Sequence, residues 1–231
     1  MKIGGLQKLT LIDYPSKLAA TVFLTGCNFR CPFCYSSELV LPEKIKNQPK
    51  ISQKELFKFL KERKKLIEGV VLCGGEPVMS RGLLPLIKKI KKMGFLVKLD
   101  TNGSDPKMLK KLIDEKLVDY VAMDIKAPME KYKKIFGKRV KIDDIEKSIK
   151  ILKEGRVDYE FRTTVVPTVL NKEDILKIVR WIGPAKRYFL QNFRPEKTID
   201  PKFEKIKPYP QEYLLEIQKA ISPFFEVCQV R

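Results

Sequence analysis

The sequence predicts an α/β fold, a partial (β/α)6 TIM-like barrel open on one side, and three observations carry that expectation. Short runs rich in Val, Ile, Leu and Phe alternate with longer segments of helical apolar spacing about six times along 231 residues. Alternation of this kind builds a parallel sheet with helices outside it. Eight such units close a barrel, so six leave it open. The unusual polar residues follow the strands, where barrels of this class build their sites.

Each element has its own signal. Residues 1–18 read as an N-terminal extension, an extended segment or hairpin in which Leu6, Leu9, Leu11 and Tyr14 alternate with polar spacers. Pro15 and Ser16 turn the chain into strand 19–25, and a cysteine-rich loop follows. Residues 41–51, with Pro42 and Pro49, read as a surface connection. Ser52-Gln53-Lys54-Glu55 is a capping-box start for a helix with Leu56, Leu60 and Ile67 on one face. Strand 70–73 comes next, then a helix carrying Leu83, Leu86, Ile87 and Ile90 that closes at Gly94. After strand 95–99, Asp105 and Pro106 open a helix with Leu109, Leu112 and Ile113. Strand 118–123 precedes a helix with Ile145, Ile149 and Leu152, capped by Asp143 and ended at Gly155. Strand 159–166 leads to a helix from Asn171 through Trp181, stopped by Gly183-Pro184, and to strand 187–190. Residues 192–231 form a C-terminal extension: a proline-rich crossing, a helix near 210–221 and an edge strand at 224–230. Residues 1–231 read as one domain.

Hydrophobic content of 44% and charged content of 32% indicate a globular protein. With no apolar leader and no run approaching a bilayer span, the expectation is a cytoplasmic protein with no membrane partner. The net charge is +19, from 47 basic and 28 acidic residues. It fits either a nucleic-acid partner or solvated helix faces. The basic clusters at 61–65, 88–92 and 131–134 each lie in segments of helical spacing, which favours solvated faces; the charge would also attract an acidic partner. The chain has no His. That excludes a Ser-His-Asp triad, a His-ligated zinc and a His general base, and leaves chemistry to a cofactor, cysteines, carboxylates or lysines.

Cys27, Cys31 and Cys34 fall in a C-x3-C-x2-C spacing. Three thiolates so close together must share a positive ion or a cluster. A [4Fe–4S] cluster takes Cys thiolates, normally four, so three would leave one iron open. The alternative is a structural zinc completed by Cys73, Cys228 or a carboxylate. Disulfides suit an odd and crowded set of thiols poorly. Cys73 and Cys228 otherwise read as small buried apolar residues.

Further polar groups gather at the same rim. Gly74-Gly75-Glu76-Pro77 follows the second strand, Asp100-Thr101-Asn102-Gly103 the third and Asp124-Ile125-Lys126 the fourth. Arg162 lies within the fifth, and Gln191-Asn192 ends the sixth. Residues 124 and 126 share a face of their strand. Taken singly, these are also readable as a tight turn, an Asn-Gly turn, a surface ion pair and a core-edge salt bridge.

The cysteine spacing, with Phe33 just before the third cysteine, resembles the signature of the radical S-adenosylmethionine (radical SAM) superfamily. The wider block, Leu11-Ile12-Asp13-Tyr14-Pro15 and then 22–34, resembles the activating proteins of anaerobic ribonucleoside-triphosphate reductase, in the glycyl-radical activase group. Tyr35 departs from relatives that carry His there. The resemblance implies a barrel of the radical SAM type and a [4Fe–4S] cluster on Cys27, Cys31 and Cys34. It also implies S-adenosylmethionine (SAM) bound through Gly74, Gly75 and Glu76 at its amino group and through the Phe33 backbone at adenine. Asn102, Lys126 and Arg162 would add contacts, and Asp100, Thr101 and Asp124 would hold a monovalent cation beside the SAM carboxylate. The implied reaction cleaves SAM reductively to methionine and a 5′-deoxyadenosyl radical, which takes hydrogen from a backbone glycine of an anaerobic ribonucleotide reductase. A flavodoxin or ferredoxin would donate the electron. Two other functions stay open: a radical SAM enzyme acting on a small molecule or tRNA base, and a non-catalytic zinc module.

Overall fold

Eight strands form one sheet in simple sequence order: β1 (Ile3–Thr10), β2 (Ala19–Leu24), β3 (Gly69–Gly74), β4 (Leu96–Thr101), β5 (Tyr120–Asp124), β6 (Asp158–Val165), β7 (Ala185–Asn192) and β8 (Phe225–Val230). The structure is a computed structural model and describes residues 2–137 and 140–231. β1 runs antiparallel to β2, and every later pair is parallel. The sheet order begins at β1 and ends at β8 without joining them. The six predicted strands are thus present as β2 to β7, flanked by the two extensions, and the barrel is open.

The helices are α1 (Ser37–Val40), α2 (Pro42–Ile45), α3 (Gln53–Glu62), α4 (Leu83–Lys92), α5 (Pro106–Asp114), α6 (Met129–Phe136), α7 (Ile142–Lys153), α8 (Lys172–Ile182) and α9 (Gln211–Ile221). The capping box at Ser52 is formed: its side chain accepts from Glu55 N–H and the Glu55 carboxylate accepts from Ser52 N–H. Asn171 makes the same reciprocal pair with Asp174, and Asp105 accepts from Met108 N–H. Asp143 does not cap α7. It sits in the first turn behind Lys141, which has no capping side chain; there its charge still suits the positive end of the helix dipole. Residues 41–51 are not wholly a surface connection, because Pro42 opens α2 as a first-turn proline can, and Ile51 bridges to Ile3.

Strand parity divides the sheet into two faces. On the outer face Val22, Leu24, Val70, Leu72, Val97, Leu99, Val121, Met123 and Phe161 are fully buried. They pack in one cluster with helix stripes that include Leu56, Leu60, Ile87, Ile90, Leu112 and Ile145. Each side chain so buried contributes roughly 1.5–3 kcal/mol relative to exposure. On the inner face a small second cluster of Tyr14, Ala19, Val71 and Tyr120 closes the N-terminal end. Above it the inner positions turn polar. The basic clusters of the outer helices are largely exposed, apart from the half-buried Lys91 and Lys131, as a solvated face requires. Among the described residues no helix is long and apolar enough to cross a membrane.

Candidate active site

The cysteine loop leaves β2 and is held on three sides. Gly26 N–H donates to the Leu39 carbonyl of α1 at 2.7 Å, and Glu76 N–H donates to the Gly26 carbonyl at 2.7 Å. From the C-terminal crossing, Ile199 N–H reaches Cys34 O at 3.2 Å and Asp200 N–H reaches Pro32 O at 2.9 Å. Phe33 is buried, with its ring against Phe136 and Phe203, and Phe29 stacks on Phe136. Burial raises all three thiols, Cys27 to about 11 and Cys31 to about 12, while Lys126 pulls each the other way. Deprotonation of this set therefore needs a cation to compensate it.

The donor set fits an iron–sulfur cluster. It is three cysteines in an apolar loop, with Phe29 N–H on Cys27 Sγ at 3.4 Å and Asn102 Nδ2 4.0 Å from the same sulfur. Hydrogen bonds to ligating sulfurs are one of the means by which proteins tune such clusters. Among the described residues no three His, Cys, Asp or Glu are gathered closely enough for a single metal ion; a four-iron cage is larger than one ion. Cys73 and Cys228 lie elsewhere on the sheet, half-buried on β3 and β8.

The loop after β3 explains its own glycines. Gly74 has φ +112°, and a Cβ there would strike the Leu24 carbonyl oxygen. A Cβ on Gly75 would overlap the Gly26 carbonyl oxygen. Only glycines let this backbone close on the cysteine loop. Glu76 departs from its expected role. It is 1% exposed, and its carboxylate accepts from Thr101 Oγ1 at 2.8 Å, Asn102 N at 2.6 Å and Val78 N at 3.3 Å. Burial pushes this carboxyl up to about 7 against the pull of those donors. The side chain ties two rim loops together, while the Gly75 and Glu76 N–H groups donate to the Leu24 and Gly26 carbonyls.

Asn102 extends the same brace. Its Nδ2 donates to Asn28 Oδ1 at 3.0 Å, its Oδ1 accepts from Ser104 N, and Asn28 Nδ2 donates to Ser104 Oγ at 2.8 Å. The predicted turn and the predicted site are therefore the same residues.

The charged groups form one chain across the inner face. Arg162 donates from Nε to Asp124 at 2.9 Å and from NH1 to Asp100 at 2.8 Å. Lys126 Nζ lies 3.2 Å from the other Asp124 oxygen, and Lys98 pairs with the other Asp100 oxygen. Asp124, Lys126 and Arg162 thus converge as strand parity demands. Gly74, Asp100, Thr101 and Asp124 end β3, β4 and β5 rather than following them, and Thr101 turns to Glu76 on the outer side, away from the two aspartates. Where a cation was expected between Asp100 and Asp124, the Arg162 guanidinium lies. Burial disfavours the charge on Asp124, yet Arg162 and Lys126 outweigh it and hold the carboxyl down to about 2. Burial likewise opposes the charges of Lys126 and Arg162, and Asp124 and Asp100 respectively overcome it, so both stay cationic. Tyr35 is half-exposed, within electrostatic reach of Asp124, Arg162 and Arg194. Gln191 and Asn192 end β7 half-buried, and Asn192 Nδ2 donates to the Tyr209 carbonyl.

Sequence reasoning missed Lys98, 1% exposed, and Glu160, 0% exposed. Glu160 accepts from Tyr120 OH at 2.9 Å and pairs with Arg231 at 3.2 Å. Both were findable: Lys98 lies two residues from Asp100 and Glu160 two from Arg162, so each shares its neighbour's face.

Comparison with known proteins agrees with this geometry. The Radical SAM superfamily profile matches residues 21–182. A provisionally named glycyl-radical enzyme activating enzyme of Methanocaldococcus jannaschii is 34% identical, over 99% of this chain and 95% of its own. A probable GTP 3',8-cyclase of Pyrococcus horikoshii is 26% identical over 78% of this chain and 62% of its own. Among solved structures, Streptococcus suis SuiB bound to S-adenosylmethionine superposes with a TM-score of 0.66 at 16% identity, covering 90% of this chain and 51% of SuiB; at that identity it speaks for the fold. With three cysteines on the first parallel strand's loop, a glycine-lined rim and a profile match over most of the open barrel, the chain belongs to the radical SAM superfamily, which implies a [4Fe–4S] cluster and SAM as its cofactors.

Proposed function

We propose that this protein is a glycyl-radical enzyme activating enzyme, whose substrate is a backbone glycine of an anaerobic ribonucleoside-triphosphate reductase. The observation that carries the reading is the 34% identity to the M. jannaschii activating enzyme along nearly the whole of both chains. Cys27, Cys31 and Cys34 would hold the cluster, which would supply the electron for reductive cleavage of SAM.

The chain's own residues bind, orient and exclude water. The Gly74–Glu76 backbone offers close-approach polar groups for the amino end of SAM. Lys126, cationic and within electrostatic reach of the thiols, would receive its carboxylate, and Arg162, paired with Asp100 and Asp124, would add charge behind it. Asn102 and Glu76 act on these groups by positioning the loops. Phe29, Phe33 and Phe136 keep the thiol side of the site apolar. A monovalent cation is not required to balance Asp100 and Asp124, because Arg162 already bridges them; any cation would have to displace that guanidinium. No side chain need move a proton, which suits a chain without His. The unjoined edges at β1 and β8 would leave room for a partner's loop to enter the barrel.

The test is anaerobic reconstitution with SAM and reductant, followed by mixing with an anaerobic ribonucleotide reductase. A glycyl radical signal by electron paramagnetic resonance supports the reading; SAM cleavage with no radical on the reductase rejects that target. A second reading, action on a purine nucleotide or a tRNA base, is favoured by the relationship to the P. horikoshii GTP 3',8-cyclase and by the +19 charge. Formation of a modified nucleotide in place of the radical would favour it.

A further inference from the structure

Cys27 faces two ways. On one side are Asn102 and Asn28 of the inner rim. On the other is a surface depression of about 340 Å³ to whose lining Cys27 itself belongs. Its lining carries the cations Lys2, Arg30 and Lys46 beside the apolar Val40, Pro42 and Ile45, of which Val40 is buried, Ile45 half-buried and Pro42 exposed. None of these residues belongs to the charged chain of the inner face. No acidic residue lines the depression, although Glu38 and Glu43 lie in the adjoining helical turns. Lys2, Arg30 and Lys46 are exposed. Arg30 is also braced, since its NH1 donates to the Cys27 and Phe29 carbonyls at 2.6 and 2.8 Å, so a positive charge is fixed at the backbone of the cysteine loop.

We propose that this depression is the docking surface for an acidic electron-transfer protein of the flavodoxin class. The inference rests on the radical SAM reading, which requires one electron per turnover from outside. The inner mouth must admit SAM and substrate. An electron donor therefore needs a second approach to the thiols, and the depression supplies one at Cys27. Its chemistry selects a negative partner: three cations lie beside a small apolar patch, the form of a weak, electrostatically steered encounter. In the transfer the donor's reduced flavin loses one electron and the group held by the thiols gains it; no bond or proton moves.

The probe is an acidic flavodoxin, reduced to its hydroquinone, mixed with the reconstituted enzyme in a stopped-flow instrument. The double variant Lys2→Glu/Lys46→Glu is expected to slow flavodoxin-driven cluster reduction about tenfold at low salt and to flatten its salt dependence. Flavodoxin affinity measured by calorimetry should weaken in parallel. Dithionite, a small reductant that needs no docking surface, should cleave SAM at the same rate in the variant and in the unaltered enzyme. The inference is overturned if flavodoxin reduces both proteins equally, or if Lys92→Glu on the outer face of α4 produces the same loss. It is overturned too if the double variant loses the dithionite rate, since the lysines would then act on the site itself. Absence of dithionite-driven cleavage in the unaltered enzyme would instead refute the radical SAM reading, and the docking surface would fall with it.

Discussion

The two faces of one sheet obey different rules. The outer face is apolar at most positions, aliphatic on β2 to β5 and partly aromatic on β6 and β7, and is governed mainly by volume and packing. The inner face carries Lys98, Asp100, Asp124, Glu160 and Arg162 on adjacent parallel strands, a composition that burial alone would penalise. It is tolerated because each charge has a partner, and because the open edges leave the upper half within reach of water and ligand. A face built only for stability would be filled with branched aliphatics, as in a closed barrel. The inner face holds opposite charges in fixed places instead, and the loops above it gather the thiols.

That contrast can be broken in several places. The largest effect belongs to the rim. Replacing Cys27, Cys31 or Cys34 with Ala should abolish iron binding and the brown chromophore, measured by iron analysis and absorbance after anaerobic reconstitution. A variant that keeps its full iron would remove that residue from the ligand set.

Arg162→Met comes next. It leaves Asp100 facing Asp124 with Lys98 and Lys126 alone to compensate, and should cost about 3–5 kcal/mol at pH 7 in chemical denaturation. The sign with pH follows from Asp124. Its carboxyl is held down to about 2, so the pairing contributes stability above the ordinary carboxylate range and loses it as pH falls through 2. The cost of Arg162→Met should therefore shrink as pH falls from 4 toward 2. On the outer face Leu72→Ala should cost about 2–5 kcal/mol, the same at every pH at which the protein stays folded. If the two variants showed the same pH dependence, the distinction between the faces would fail.

Glu76→Gln sharpens the account of the brace. Burial raises this carboxyl to about 7. Its contribution is fully present below the unfolded carboxylate range and is lost as pH rises through 7. Unaltered protein should lose on the order of 3 kcal/mol between pH 4.5 and 7.5 that the Gln variant does not lose. Parallel stability curves would remove Glu76 as the titrating group. The smallest effect is expected at Lys88→Ala, whose pair with Glu115 at 2.9 Å is exposed to solvent. It should leave the denaturation midpoint close to that of the unaltered protein, because solvent screens an exposed pair.

The elements most legible in the sequence were those fixed by periodicity and end signals. Six strands and most of their helices could be placed within a few residues, helped by Ser52, Asp105 and Asn171, which announce helix starts chemically; α6 was not placed as an element. The cysteine loop, Asp124, Lys126 and Arg162 were legible from spacing and strand parity. What escaped depends on contacts distant in sequence. Glu160 looks anomalous in a strand until the sheet brings Tyr120 and Arg231 to it; the Lys98–Asp100 pair, two residues apart on β4, is the exception that local parity could have given. The motif located Glu76 but could not show which way its carboxylate points, since that is set by Thr101 and Asn102. The Arg162 bridge between two aspartates required the register of β4, β5 and β6. The basic depression at Cys27 required the fold of α1 and α2, which the prolines at 42 and 49 disguised as loop.

The central claim is that the thiols and the inner charges serve one cofactor pair. It is tested most directly by reconstituting the protein anaerobically, adding SAM and dithionite, and measuring 5′-deoxyadenosine with the metal content of the same sample. The account predicts about four iron and four sulfide per chain, with methionine and 5′-deoxyadenosine released together. A single tightly held zinc with intact SAM would contradict it.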